Sequence, residues 1–200
     1  MTYHNIVLLA TRARLILGSR SPRRVELLRE IGVTFDQRIP DIEENPRPDE
    51  LPYDYAARLA EEKALEIAVD CESGMVVLGC DTIVVLDNQV LQKPLDKIDA
   101  HRLLSLLSGK QHVVCSALAL ADHTGLLNSG YELTRVYFHN VTSSQISEYI
   151  LTGEPMDKAG AYGIQGMGSF LVDRIEGNLD TVVGLPRSLL DRLAGEVLHC

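Results

Sequence analysis

Two arginines occupy the first turn of a predicted helix, where acidic side chains are normally favoured. Residues 15–32, LILGSRSPRRVELLREIG, predict a short strand, a polar turn and a helix that a proline opens and a glycine closes. Arg23 and Arg24 therefore lie where the helix dipole is already positive. A phosphate bound at this N-terminus, with Ser19 offering a hydroxyl, would offset the repulsion. Alternatively, the arginines point into solvent or pair with acids such as Glu26.

Carboxylates and lysines elsewhere could complete a phosphate or metal site. Asp81 ends an apolar run, where a buried carboxylate needs a partner; it could bind a divalent cation, accept a proton from water or cap a turn. Glu43 and Glu44 lie in an acidic, proline-rich loop and could supply oxygen ligands to Mg²⁺ or simply be solvated. Lys63 interrupts the apolar face of a helix, and Lys93 precedes a proline. Each offers a point charge for an anion, although surface lysines are common.

A glycine-rich segment could recognise the rest of such a ligand. In DKAGAYGIQGMG, Gly160, Gly163 and Gly166 are spaced three apart, which suits either a loop that closes on a ligand or a structural turn. Gln165 carries a donor and an acceptor, as recognition of a base edge requires. Thr82, which follows the candidate aspartate, could orient a ligand or be an ordinary strand residue.

Strands and helices must alternate along the chain to position these groups. The hydrophobic periodicity predicts helices over 22–31, 53–70, 96–108, 143–154 and 185–198, and strands over 14–19, 75–86, 89–94, 112–122, 130–141 and 170–177. We expect an α/β protein with a central mixed sheet flanked by helices, and two lobes with a groove between them. Residues 1–14 are interpreted as an N-terminal extension rather than a signal peptide, and residues 15–200 as a single domain.

Composition and charge limit the kinds of partner. The 200 residues carry a formal net charge of −9, which argues against a protein that coats nucleic acid. An anionic ligand must be held by a local cationic cluster, so a small molecule is favoured over a polymer. No apolar run is long enough for a membrane span. The four cysteines lack metal-ligand spacing, which favours reduced thiols and a cytoplasmic location.

Six motifs in register resemble the Maf family of septum-formation nucleotide pyrophosphatases. They are SRSPRRVELL, GCDTIV, QKP, LSGKQH, GEPMDKAGAYGIQG and VVGLP, and they extend from about residue 15 to residue 190. The resemblance implies a fold like that of the inosine triphosphatases and hydrolysis of nucleoside triphosphates to the monophosphate and pyrophosphate. It also implies a divalent cation, Mg²⁺ or Mn²⁺, and a homodimer. DKAGAYGIQG is similar to the branch that acts on dTTP and UTP.

The resemblance also implies roles for individual residues. Asp81 corresponds to the family's proton acceptor. The family positions that are linked to base selectivity correspond to Arg23, Thr82 and Gln165. The family positions that contact phosphate and metal correspond to Ser19, Arg24, Glu44, Lys63 and Lys93. Within this scheme Glu44 and Asp81 are the expected metal ligands.

Two other functions remain open on the sequence. The chain could be a nucleotide-sensing or cell-division regulatory protein that binds without hydrolysis, although a binder has no need of Asp81. It could also be a pyrophosphatase for modified nucleotides, including methylated pyrimidines.

Overall fold

Seven strands and seven α-helices are formed by residues 3–199, the part of the chain that the computed structural model describes. In chain order the strands are β1 (Arg14–Gly18), β2 (Phe35–Arg38), β3 (Met75–Leu86), β4 (Gln89–Leu91), β5 (Gln111–Asp122), β6 (Gly125–Phe138) and β7 (Val172–Glu176). The helices are α1 (His4–Arg12), α2 (Pro22–Ile31), α3 (Pro52–Ala68), α4 (Lys97–Leu107), α5 (Ser143–Leu151), α6 (Leu179–Val183) and α7 (Arg187–Leu198). Three short 3₁₀ turns follow α5, over Glu154–Asp157, Ala159–Ala161 and Gly166–Leu171. Residues 1, 2 and 200, the outer ends of the predicted extension and domain, lie outside the described residues.

Local sequence signals explain where three of the helices begin or end. α2 begins at Pro22, and Gly32 ends it in the left-handed region at a φ of 86°. The side chain of Asp96 caps α4 by accepting a hydrogen bond from a backbone N–H of the first turn. α5 begins with a capping box, in which Thr142 and Gln145 each accept a hydrogen bond from the other's backbone N–H.

The strands form one mixed sheet in the order β2-β1-β3-β5-β6-β7, with β4 paired to β3. β1 runs parallel to β2 and β3, whereas β4 is antiparallel to β3 and β7 is antiparallel to β6. Asp87 and Asn88, with φ values of 49° and 64°, form the two-residue turn of the predicted β3–β4 hairpin. The predicted α/β class with a central mixed sheet is confirmed. The groove expected between two lobes stays a prediction.

The chain divides into two compact units. The first comprises residues up to 81 together with 116–132 and the residues from 184 onward, and the second comprises 82–115 and 133–183. In the first unit, β1 and the inner face of α3 bury Leu15, Ile16, Leu17, Ala56, Leu59, Ala60 and Ala64. In the second, a core forms around Leu103, Leu104, Leu107, Val114, Val136, Phe138, Ile146 and Tyr162.

The predicted N-terminal extension contains a helix that belongs to the first unit. Ile6 of α1 is fully buried, and α1 packs against α7. The backbone N–H groups of Asn5 and Ile6 donate to one carboxylate oxygen of Asp191, at 2.8 and 3.0 Å. These bonds satisfy donors in the first turn of α1 that the helix itself leaves unpaired.

The sequence also led us to expect no membrane-spanning helix and reduced cysteine thiols. Among the described residues, no helix combines the length and the apolar composition needed to cross a bilayer. Cys71, Cys80 and Cys115 are buried, and Cys200 lies outside the described residues.

Candidate active site

The turn between β1 and α2 is built around the hydroxyl of Ser19, which is buried at 4% exposure. Ser21 occupies the predicted N-cap position, but its side chain makes no capping hydrogen bond. Instead, its backbone N–H donates to Ser19 Oγ at 3.2 Å. The amide side chain of Gln37 holds the carbonyl oxygen of Ser19 from β2 at 2.7 Å. The backbone entering α2 is thus fixed by the side chains of Ser19 and of Gln37 in β2.

Arg24 is oriented over the end of the sheet. Its Nη1 donates to Ser19 Oγ at 2.9 Å and to the carbonyl oxygen of Cys80 at 3.1 Å. Its Nε donates to the carbonyl oxygen of Gly184 at 2.9 Å. These three acceptors are uncharged, so they orient the guanidinium without themselves cancelling its charge. The alternative in which Arg24 extends into solvent is therefore wrong. Arg23, its neighbour, is half-buried.

Two glycines let α3 lie directly against the sheet in the first unit. Gly18 of β1 and Gly79 of β3 are paired in the parallel ladder. A Cβ added at Gly79 would lie 2.1 Å from the carbonyl oxygen of Ala60, so only glycine allows this approach. Because side chains alternate along a strand, Asp81 is on the same face of β3 as Gly79 and therefore also faces α3.

Lys63 projects from α3 between two carboxylates. Its Nζ lies 2.6 Å from Oδ1 of Asp81 and 2.6 Å from Oε1 of Glu44. The side chains of Lys63 and Asp81 are each 9% exposed, whereas that of Glu44 is 46% exposed. The buried carboxylate thus has the cationic partner that its burial demands. For Asp81, the alternative of an aspartate that caps a turn is wrong, because the residue lies within β3.

Side chains of α3 also hold the acidic loop in place. The hydroxyl of Tyr55 donates to the carbonyl oxygen of Glu44 at 2.9 Å. Arg58 donates to the carbonyl oxygen of Asn45 at 3.0 Å and to a carboxylate oxygen of Glu50 at 2.7 Å. Burial, assisted by the nearby carboxylates, raises the pKa of Tyr55 to about 12, so its hydroxyl stays a donor at neutral pH. Glu44 is therefore presented by an anchored loop.

The cysteine beside Asp81 takes part through its backbone. Cys80 is fully buried, and burial raises the pKa of its thiol to about 11. The thiol is therefore neutral at physiological pH and a poor nucleophile or metal ligand. Its carbonyl oxygen, in contrast, is one of the three acceptors that orient Arg24.

The remaining predicted residues belong to the second unit. Thr82 is half-buried, and Lys93 and Gln165 are exposed. Lys93 follows Gln92, whose carbonyl oxygen accepts a hydrogen bond from the backbone N–H of Gly160 at 3.1 Å. This contact joins the segment before Pro94 to the glycine-rich region. The roles expected for these residues and for Arg23 stay predictions.

The structure thus brings together five predicted residues, and it adds partners that the sequence analysis missed. The cluster consists of Ser19, Arg24, Glu44, Lys63 and Asp81. The missed partners are the carbonyl oxygens of Cys80 and Gly184 and the hydroxyl of Tyr55. Backbone acceptors carry no residue-type signal, but the tyrosine lies on the inner face of α3 and could have been found by helical periodicity.

Two carboxylates of the cluster could hold a divalent cation. No group of three or more His, Cys, Asp or Glu side chains suited to a metal occurs within residues 3–199. The carboxylates of Glu44 and Asp81, however, converge on a single ammonium group, which shows that they can face one cation. Mg²⁺ commonly binds to one or two carboxylates and completes its coordination with water and substrate phosphates. The donor set therefore fits such an ion.

Known proteins resemble this chain over most of its length. A family model described as "Maf-like protein" matches residues 14–197. A "dTTP/UTP pyrophosphatase" from Shewanella sp. (strain MR-7) is 50% identical over 182 residues, covering 86% of this chain and 92% of that protein. Proteins of the same name are 46% identical in Escherichia coli O157:H7, over 86% of this chain and 87% of that one, and 45% identical in Vibrio cholerae, over 92% and 97%. A solved dITP/XTP pyrophosphatase from Mycobacterium abscessus aligns at a TM-score of 0.46 and 17% identity, over 93% of this chain and 95% of its own. On the family match and its relatives at 45–50% identity, this chain belongs to the Maf-like protein family.

Proposed function

We propose that this protein hydrolyses nucleoside triphosphates, with dTTP, UTP and modified pyrimidine nucleotides as the expected substrates. The products are the nucleoside monophosphate and pyrophosphate. The observation that carries the proposal is the buried Lys63–Asp81 pair beside the oriented guanidinium of Arg24. The names of the relatives at 45–50% identity support the same reaction.

The cluster offers groups for the phosphates of such a substrate. We assign binding of the triphosphate to Ser19, Arg24 and Lys63, with Lys93 as a further positive charge. Water screens the buried ammonium of Lys63 less than that of an exposed lysine, so it can attract a phosphate as well as the two carboxylates that it already contacts. Arg24 already has its plane fixed by three acceptors, so it loses little freedom when it binds an oxygen.

Water then attacks the α-phosphorus in line with the departing pyrophosphate. The new bond joins the water oxygen to the α-phosphorus. The bond that breaks joins the α-phosphorus to the oxygen that bridges it to the β-phosphate, and this oxygen leaves with pyrophosphate. Asp81 is the proposed acceptor for the proton that the water loses. Glu44 and Asp81 would hold a divalent cation, Mg²⁺ or Mn²⁺. When bound, the cation supplies charge neutralisation and acidifies coordinated water.

Selection among nucleotides is assigned to Arg23, Thr82 and Gln165. The amide of Gln165 can donate to one atom of a base edge and accept from its neighbour. Thymine and uracil present a carbonyl oxygen beside an N–H, which is the complementary pair. Gln165 itself is exposed and therefore accessible to a nucleotide.

We further propose that the protein is a cytoplasmic homodimer that acts on free nucleotides rather than on nucleic acid or membranes. The net charge of −9 supports a small anionic ligand over a polyanion. The buried free thiols of Cys71 and Cys80 suit a reducing compartment. Sedimentation equilibrium across a range of protein concentrations tests the dimer, and a purely monomeric chain would rule it out.

The substitution Asp81→Asn tests the proposed reaction directly. It removes the proton acceptor while keeping the size of the side chain. We expect kcat to fall by about 10²-fold or more, the usual contribution of a positioned acid or base. The assay is steady-state pyrophosphate release from purified dTTP and UTP in the presence of Mg²⁺.

Asp70→Asn is the matched control, because Asp70 is exposed just after α3. It should leave turnover within twofold of the wild-type value. Wild-type turnover by Asp81→Asn would contradict the assignment of the proton acceptor. Tight binding of nucleotides by the wild-type protein without pyrophosphate release would favour the non-catalytic sensing protein instead.

A further inference from the structure

The carboxylate of Glu154 holds one end of the segment that carries Gln165. Its Oε2 accepts a hydrogen bond from the backbone N–H of Met167 at 2.9 Å, and its Oε1 accepts one from Gly168 at 3.2 Å. Met167 and Gly168 follow Gln165 within the 3₁₀ turn that begins at Gly166. Glu154 itself lies eleven residues before Gln165 in the sequence.

The hydroxyl of Tyr149 holds the other end of the same segment. It donates to Oε1 of Glu154 at 2.9 Å and accepts from the backbone N–H of Gly163 at 3.1 Å. Tyr149 is buried in α5, and its ring contacts Phe170 edge to face at a centroid distance of 6.0 Å. Residues 163–168 are therefore fastened at both ends to one tyrosine–glutamate pair.

The glycines of this segment allow it to lie close to the pair. A Cβ at Gly168 would lie 2.4 Å from the carbonyl oxygen of Gly163 and 2.5 Å from the hydroxyl oxygen of Tyr149. Gly166 adopts a positive φ of 78°, and its α-carbon faces Oε2 of Glu154. Of the three glycines spaced three apart in the sequence, Gly163 and Gly166 lie close to the carboxylate of Glu154, whereas Gly160 packs against Val84.

Glu154 is suited to this task because it stays ionised. Burial alone would raise the pKa of its carboxyl, but the hydrogen bonds from Met167, Tyr149 and Gly168 together hold that pKa below its usual value. Lys158 adds a further restraint, since its Nζ donates to the carbonyl oxygen of Glu154 at 2.6 Å. Charge-assisted bonds of this kind are stronger than bonds between neutral groups.

We propose that Glu154, acting with Tyr149, is a positioning residue that fixes the segment 163–168 and thereby sets the selectivity of Gln165 for the pyrimidine base. This inference rests on the proposed function, in which Gln165 contacts the base. A contact made through two hydrogen bonds requires its donor and acceptor to be held within about 0.5 Å of the productive geometry. A segment released from Glu154 would lose that precision without losing the groups assigned to the phosphates.

The substitutions Glu154→Gln and Tyr149→Phe test the inference. Glu154→Gln keeps the shape of the side chain but replaces one acceptor oxygen with a donor. Tyr149→Phe removes the hydroxyl that joins Gly163 to the carboxylate. Glu148→Gln is the matched control, because this exposed residue of α5 contacts the hydroxyl of Ser144.

Two measurements on the full chain report separately on the segment and on selection. The first is amide hydrogen exchange of residues 163–168 without nucleotide. We expect Met167 and Gly168 to exchange at least tenfold faster in Glu154→Gln, and Gly163 to exchange faster in Tyr149→Phe. The second is the ratio of kcat/KM for UTP to that for CTP. It should move at least fivefold toward one in both variants, mainly through KM, with kcat for UTP within threefold of wild type.

The outcomes separate a wrong inference from a wrong function. Unchanged exchange in both variants would overturn the positioning role, and faster exchange with an unchanged ratio would overturn the link to selectivity. Equal changes in Glu148→Gln would also overturn it, since the side chain of that exposed residue accepts its hydrogen bond from Ser144 instead. If the wild-type protein hydrolyses no pyrimidine triphosphate, the proposed function is wrong. The inference is then judged on the ratio of Kd values for the same two nucleotides.

Discussion

α3 lies against the sheet at Gly79, and a methyl group there should be poorly tolerated. In Gly79→Ala the new Cβ would lie 2.1 Å from the carbonyl oxygen of Ala60 and 2.7 Å from the backbone nitrogen of Ala64. Those two atoms belong to one turn of α3, where the N–H of one residue bonds to the carbonyl four residues before it. A carbon normally stays about 3.3 Å from such an oxygen, so α3 must move by about 1.2 Å.

The size of that movement sets the expected loss. Overpacking typically costs about 1–3 kcal/mol, and the upper end applies because the methyl group meets backbone rather than a flexible side chain. For a chain of this length a loss of about 3 kcal/mol lowers Tm by about 6–12 °C. Lys63 lies between Ala60 and Ala64 on α3, so its 2.6 Å contact with Asp81 should also be broken. A displacement of about 1 Å can reduce turnover by about 10²-fold.

Thermal unfolding followed by circular dichroism, and pyrophosphate release at 25 °C, measure the two effects. Gly130→Ala is the control, because its new Cβ would be no closer than 3.4 Å to any atom, and the nearest is a leucine methyl group. We expect this control to melt within about 2 °C of wild type with unchanged turnover. If Gly79→Ala behaves in the same way, the reasoning that ties Lys63 to the glycine contact is refuted.

Three further expectations concern Lys63 and His112, which are buried, and Arg24, which is half-buried. Lys63→Met leaves the carboxylate of Asp81 without its partner lysine and should lower the free energy of unfolding by about 3–5 kcal/mol, measured by urea titration. Adding Asp81→Asn to the same chain should partly restore the lost stability. Burial lowers the pKa of His112 to about 4 from its usual value near 6.5, so the unfolded chain takes up the proton first as the pH falls. The free energy of unfolding should therefore drop by about 3 kcal/mol in total between pH 6.5 and pH 4. His112→Gln, which keeps a partner for the hydroxyl of Tyr162, should reduce this slope. Arg24→Lys should lower kcat/KM at least tenfold, because an ammonium group cannot reach the same acceptors with the same geometry.

Each of these expectations has an outcome that contradicts it. Wild-type stability in Lys63→Met would mean that the pair contributes nothing to folding. An unchanged pH slope in His112→Gln would assign the titration to other groups. Full activity in Arg24→Lys would show that a single positive charge, rather than an oriented guanidinium, is sufficient.

The elements that carry the cluster could be predicted because their signals are local. Proline at the start and glycine after the end predict α2 over the same residues that the structure shows. The apolar face of α3 predicts that Lys63 lies among buried side chains, and its 7% exposure confirms this. The unbroken apolar run around Asp81 likewise predicts β3 over residues 75–86.

Other features depend on contacts between distant parts of the chain and could not be predicted in this way. Residues 4–12 form α1 because they pack on α7, and Asn5 is bonded to Asp191, which lies 186 residues away. The pairing of Gly18 with Gly79 depends on the register of two parallel strands, which neither strand specifies alone. The restraint of residues 163–168 by Glu154 depends on the fold of the chain between them.

The register of β3 against β1 places the partners of two cationic side chains, Arg24 and Lys63, at adjacent residues of β3. β1 ends at Gly18, opposite Gly79, so the carbonyl oxygen of Cys80 lies beyond their last pair and accepts from Arg24. The next side chain, that of Asp81, points to the face where α3 supplies Lys63. The dipeptide Cys80–Asp81 thus contacts two cationic side chains. Its backbone carbonyl accepts from Arg24 of α2, and its carboxylate contacts Lys63 of α3. A register shift of one residue would turn the side chain of Asp81 to the opposite face and separate it from Lys63. Arg24 and Lys63 therefore contact adjacent residues of β3, with Glu44 as the second carboxylate on Lys63, because strand pairing rather than composition determines which groups meet.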